Sequence, residues 1–73
     1  LDADMLRALL ERWIADLPDR QREALTLRRQ KHLSHDEIAE IMEISPSTVN
    51  NHLVRAMKAL RGRLREHRPD LLA

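Results

Sequence analysis

Two helix-start signals lie close together in the middle of the chain, and they constrain the fold more than any other feature. Residues 33–38 combine a capping box, a serine followed three residues later by a glutamate, with a hydrophobic staple. Ser45 repeats the cap, Ile44 with Val49 repeats the staple, and Pro46 occupies the first position of a helix. Only residues 43–45 separate the two segments, so we predict a short helix joined to a longer one by a tight turn.

Elsewhere, apolar residues recur at the three- and four-residue spacing of one helix face, and strand-like runs are absent. Pro18 divides a first helix from a second, and Pro69 is expected to end the last. We therefore predict an all-α, four-helix helix-turn-helix domain without a wing, with helices at about 3–16, 18–31, 35–43 and 46–67. The residues expected to face the core are Met5, Leu6, Leu9, Leu10, Trp13, Ile14, Leu17, Ala24, Leu25, Leu27, Ile38, Ile41, Met42, Val49, Leu53, Ala56, Met57, Leu60 and Leu64.

Length and composition exclude several classes of function. The 73 residues allow one domain, 1–73, with the helix-turn-helix motif at about 34–55. There is no cysteine, and no apolar run approaches the roughly 20 residues that span a bilayer. His32 and His35 flank a helix start instead of sharing a helix face, which disfavours a metal site. We expect a cytoplasmic, non-enzymatic protein without a metal, a cofactor, a membrane or a small-molecule substrate. Because the chain opens with Leu1 instead of Met, we also expect it to be a fragment of a longer protein.

Charge is distributed unevenly. Residues 1–44 contain seven Lys/Arg and ten Asp/Glu, whereas residues 45–73 contain six and two. A basic half next to an acidic half is typical of a domain that meets a polyanion through the basic half. A solvated amphipathic helix would explain the charge alone equally well.

The expected outward face of the fourth helix favours the polyanion. Its first turns carry hydroxyls, amides and a guanidinium, with no acidic residue from Ser45 to Arg65. Asparagine pairs with adenine and arginine with guanine in the major groove, and hydroxyls suit phosphates. A basic run follows, either tracking the phosphate backbone or serving only as solvated charge. The two groups are Ser47, Thr48, Asn50, Asn51, His52 and Arg55, then Lys58, Arg61, Arg63, Arg65 and Arg68.

These features together resemble region 4 of sigma-70-family transcription factors, particularly the extracytoplasmic-function (ECF) group. The resemblance covers about residues 17–64. It rests on four pieces of sequence: Leu17-Pro18 with Arg22-Glu23, Leu33-Ser34 with Glu37-Ile38-Ala39, Ile44-Ser45 with Thr48-Val49, and Arg55-Ala56 with Leu60-Arg61.

The resemblance implies recognition of the minus-35 promoter element by a domain bound to RNA polymerase. It implies two further partners, the flap of the polymerase β subunit and an anti-sigma factor. Base contacts would fall on Asn50, Asn51, Val54 and Arg55. Backbone contacts would fall on Ser34, His35, Ser47, Thr48 and His52, to which the basic run adds Lys58.

Two positions depart from the family pattern. Glycines common before the Leu-Ser pair and in the turn are His32 and Glu43 here. The second departure implies that Glu43 tolerates a strained backbone or that the turn differs slightly.

Two other interpretations stay open at this point. The DNA-binding domain of a LuxR-type response regulator shares much of the helix-turn-helix pattern, although Leu17 with Pro18 and the long basic fourth helix favour a sigma factor. Alternatively, Trp13 is an exposed anchor of a purely protein-binding helical module, although its place in an apolar stripe favours the core.

Overall fold

The computed structural model describes residues 2–67, and over that range the chain forms four α-helices and no strand. They are α1 (Ala3–Ala15), α2 (Asp19–Lys31), α3 (His35–Met42) and α4 (Pro46–His67). The predicted four-helix class is thus confirmed. Pro69 and Arg68, expected to end α4 and to extend its basic run, lie outside the described residues. None of these helices is both long and apolar enough to cross a bilayer.

Helix boundaries differ slightly from those predicted. Asp16 is the C-cap of α1, and Pro18 is the N-cap of α2 instead of its first helical residue. Pro18 has an extended ψ of 147°, which a helical residue cannot have. Glu43 is left-handed and therefore ends α3 at Met42.

Three of the four helices begin with a side-chain cap, and those of α3 and α4 are the predicted ones. The Asp2 carboxylate accepts the Met5 amide at 2.8 Å at the start of α1. In α3, the Ser34 hydroxyl accepts the Glu37 amide at 3.1 Å, and the Glu37 carboxylate accepts the Ser34 amide at 3.0 Å. Ser45 Oγ accepts the Thr48 amide at 3.1 Å at the start of α4. These bonds satisfy backbone donors that the first turn leaves without a helical partner.

Helix α4 is the centre of the fold, because it packs against each of the other three helices. Ile38 and Val49, the fourth residues of the two capped helices, are fully buried. Their staple partners Leu33 and Ile44 are half-buried against the same core. The two start signals therefore fix the centre of the core as well as the helix boundaries. The remaining buried residues are Trp13, Ile14, Leu17, Ala24, Leu25, Ala39, Met42, Leu53, Ala56 and Leu60.

Three apolar residues expected in the core are exposed instead. Met5 and Ile41 are each 55% exposed, and Met57 is 44% exposed. The buried arc of α3 runs from Ile38 through Met42 to Ala39, which leaves Ile41 on the outer side. Similarly, Met57 lies about 100° around α4 from the buried Ala56.

The turn between α3 and α4 depends on a left-handed residue. Glu43 has φ 58° and ψ 44°, and the Ile44 amide donates back to the Ala39 carbonyl at 3.0 Å. That bond, spanning five residues, is the Schellman arrangement, which requires a left-handed residue and usually uses glycine. His32 is also left-handed, with φ 55°, at the end of α2. Both departures from the family pattern therefore fall on left-handed positions, and the strain foreseen at Glu43 is confirmed.

We expect Glu43→Gly to raise the free energy of unfolding by up to about 1 kcal/mol. Left-handed backbone costs an L-residue roughly 1–2 kcal/mol, and glycine removes this cost. The greater entropy of glycine in the unfolded chain offsets about 0.4–1 kcal/mol of the gain. The gain from His32→Gly is expected to be smaller, because histidine enters this conformation more readily than glutamate. Urea midpoints of the variants measure both effects.

Glu40→Gly is the matched control, since Glu40 is an exposed glutamate inside α3. There glycine should lower stability by about 1 kcal/mol. A destabilisation of similar size at both glutamates would show that Glu43 is not strained.

The capping box predicts a pH dependence of stability. The hydrogen bond from the Ser34 amide, with a smaller contribution from the Ser34 side chain, lowers the pKa of Glu37 below its ordinary value of 4.5. Below that value the unfolded chain therefore binds more protons at Glu37 than the folded chain. The stabilisation is complete above pH 4.5 and is lost as the pH falls through the folded pKa. In urea unfolding at a series of pH values, Glu37→Gln should lack this loss; a difference from wild type that stays constant into acid would contradict the assignment.

Candidate nucleic-acid interface

Helix α4 presents a continuous exposed stripe, which we call the α4 stripe, made of Ser47, Asn51, Val54, Arg55 and Lys58. Their spacing of four, three, one and three residues places them on one helix face. The buried residues of α4 occupy the opposite face. The burial that holds α4 in place therefore also points this stripe at solvent.

The other predicted contacts on α4 lie at the edges of the stripe. Asn50 is exposed, whereas Thr48 and His52 are half-buried. Thr48 Oγ1 lies 2.9 Å from Ser45 Oγ, so part of its hydrogen-bonding capacity is used within the cap. Asn50 is thus freely accessible, and the other two offer only their outer edges.

At the N-terminus of α4, the backbone amide of Ser47 is left without a hydrogen-bond partner within residues 2–67. Pro46 has no N–H, and the Thr48 amide is bonded to Ser45 Oγ. The Ser47 amide has no partner among the described residues, and its side chain is exposed. An amide and a hydroxyl on one residue at a helix N-terminus suit a phosphate oxygen.

Ser34 and His35 lie on a different helix from the other predicted contacts. Ser34 caps α3 and uses both its amide and its hydroxyl oxygen in the capping box. His35, the first residue of α3, is half-buried. Asp36 and Glu37 follow immediately and are exposed, so their negative charge opposes a phosphate at this helix start. The hydroxyl proton of Ser34 stays available for donation.

The cations divide into two groups. Arg63, expected in the basic run, instead bonds to Asp16, the C-cap of α1, at 3.4 Å. Arg20, Arg22 and Arg29 of α2 each make an ion pair. By contrast, the cations of α4 that form no ion pair with any residue in 2–67 are Arg55, Lys58, Arg61 and Arg65. Arg12, Arg28 and Lys31 also form no ion pair within residues 2–67, but α4 holds four such cations and has no acidic residue before Glu66.

One positioning residue was missed at the sequence level. The Arg20 guanidinium of α2 donates to the Met42 carbonyl at 2.9 Å and to Glu23 at 2.8 Å. Met42 is the last residue of α3, so this bond ties α2 to the turn that leads into α4. Arg28 similarly donates to the Leu33 carbonyl at 2.7 Å in the preceding loop. No local pattern predicts the first contact, because its partners are 22 positions apart in sequence.

Two other candidate features can be placed. Among residues 2–67, no three acidic or histidine side chains converge on a point where an ion would bind. Trp13 is 8% exposed, so it belongs to the core and is not the exposed anchor considered above. The edge of its ring system faces His67, with centroids 6.0 Å apart.

Comparison with known proteins agrees with this geometry. The family profile described as "Sigma-70, region 4" matches residues 7–60. The chain is 40% identical over 58 residues to the ECF RNA polymerase sigma-E factors of Escherichia coli K12 and Salmonella typhimurium LT2, a match that covers 80% of this chain. It is 39% identical over 57 residues, or 78% of its length, to the RNA polymerase sigma-H factor of Pseudomonas aeruginosa PAO1. In each case the match spans 30% of the relative's length.

Proposed function

Because the chain belongs to the sigma-70 region 4 family, we propose that it binds the minus-35 element of bacterial promoters as part of an RNA polymerase holoenzyme. Such a role belongs in the cytoplasm and assigns the chain no catalysis. The observation that carries the proposal is the α4 stripe: amide, hydroxyl and cationic side chains on one exposed face, without an acidic residue. The family assignment also favours this role over that of a LuxR-type regulator.

In this proposal, α4 lies in the major groove, which admits one α-helix. Arg55 reads a guanine, because its planar fork matches the two acceptors on the guanine edge. Asn51 lies one helical turn before Arg55 on the same face and reads a neighbouring base, as does Asn50 from the edge of the stripe. The exposure of these three side chains supports the assignment.

Phosphate contacts flank the base contacts. Ser47 offers its open amide and hydroxyl, and Lys58 offers an ammonium group that forms no ion pair in the described part of the chain. The outer edges of Thr48 and His52 complete the set on α4. Ser34 and His35 are proposed as the contacts from α3, in which the Ser34 hydroxyl donates its proton to a phosphate while its oxygen keeps capping the helix.

The proposal gives the protein contacts to α1, α2 and the part of α3 beyond its first residue. Residues 1–44 carry more acidic than basic groups, so DNA repels much of that surface. An open groove of about 440 Å³ lies on α2, lined by Asp19, Arg22, Glu23, Thr26 and Leu27. Mixed charge beside an apolar wall suits a protein segment better than a phosphate backbone. We assign this side of the domain to the polymerase β flap and to an anti-sigma factor.

The base assignment is tested on a duplex selected by this chain from a randomised pool and then varied one base pair at a time. Arg55→Ala should weaken binding by about 1–3 kcal/mol and relax the preference at one base pair. Arg55→Lys should relax the same preference, because lysine keeps the charge without the fork. Affinities are compared at one low salt concentration, since phosphate contacts make binding strongly salt-dependent.

Arg65→Ala is the matched control, because Arg65 is an exposed arginine further along α4 that forms no ion pair within residues 2–67. It should weaken all duplexes alike or have no effect. If Arg55→Ala also weakens every duplex equally, Arg55 holds a phosphate and the base assignment is wrong. Failure to enrich any sequence would overturn the proposed function itself.

The protein contacts are tested by amide-shift mapping with a peptide of the polymerase β flap. Shifts are expected in α1–α3, strongest along the groove on α2, and they should be retained in Arg55→Ala. Shifts confined to α4 would show that the flap and DNA compete for one surface and would defeat the division proposed here.

A further inference from the structure

Val54 is the one apolar side chain in the otherwise polar α4 stripe, and it is 54% exposed. Along the helix, its neighbours at three and four residues' distance are Asn50, Asn51, Met57 and Lys58, of which only Met57, just off the stripe, is apolar. Val54 makes no contribution to the buried core, which α4 forms with Val49, Leu53, Ala56 and Leu60. Packing within the domain therefore does not explain an apolar group at this position.

The chemistry of the major groove supplies one partner that fits. Base edges there present hydrogen-bond donors and acceptors, and the only apolar group among them is the 5-methyl group of thymine. Against any other edge, valine would remove a polar group from water without giving it a hydrogen bond. We infer that Val54 packs against a thymine methyl group and so selects an A·T base pair next to the bases read by the asparagines. This inference rests on the proposed binding of α4 in the major groove.

The test removes the methyl group without changing base pairing. In the selected duplex, each thymine in turn is replaced by uracil, and binding to the 73-residue chain is measured. Wild type should lose roughly fourfold in affinity at one thymine, the effect of one buried methyl group. Val54→Ala should bind the thymine duplex more weakly and should lose the difference between thymine and uracil. Val54→Thr, which keeps one methyl group, should retain part of that difference.

Met57→Ala is the control, because Met57 is also an exposed apolar residue of α4 but lies off the stripe. It should keep the full penalty for uracil. The inference is overturned if no thymine shows a penalty, or if Val54→Ala keeps the penalty because another residue contacts the methyl group. A Val54→Ala variant that weakens every duplex alike would show a sugar contact and would overturn it as well. Each of these results leaves promoter binding intact, whereas a chain that selects no sequence removes both conclusions.

Discussion

The left-handed turn at Glu43 is the constraint on which the rest of the structure depends. It closes α3 through the bond from the Ile44 amide to the Ala39 carbonyl and redirects the chain into α4 within three residues. Ala39 is buried at the same place, where its small side chain lets the helices approach closely. Arg20 then holds the end of α3 from the side of α2. The direction of α4, and with it the direction in which the α4 stripe faces, follows from these contacts.

The arginines of this domain include two sets, those that bond to other groups within the fold and those of α4 that form no such bond within residues 2–67. Those of α2 donate to backbone carbonyls and to acidic side chains: Arg20 to Met42 at the end of α3, Arg22 to Ala15 at the end of α1 and to Asp19, and Arg28 to Leu33 in the loop before α3. Backbone carbonyls at helix C-termini carry partial negative charge, so these bonds suit the guanidinium fork. The cations of the α4 stripe have no such partners among the described residues. The net charge of the whole chain therefore says little about where a polyanion could bind, because much of the positive charge is used within the fold.

Structural features that depend on residues close together in the chain were predictable from the sequence. Both capping signals, both staples and the four helices were recoverable, since each rests on contacts within one or two turns. The exposure of Ile41 and Met57 was not recoverable. Apolar spacing gives the direction of a buried face only to within one residue, and neighbouring helices decide which edge of that face is covered. The bond from Arg20 to Met42 was not predictable either, because its partners are 22 positions apart in sequence.

The candidate site was more predictable than these details because its geometry is tied to the core. Val49 and Leu53 must be buried for α4 to pack, and at 100° per residue that requirement turns Asn51 and Arg55 outward. An error of one residue at the edge of the core, as at Met57, changes which side chains flank the stripe but not which form its middle. A helix that is both the centre of the core and the proposed reader of DNA therefore specifies its outward face through its inward one.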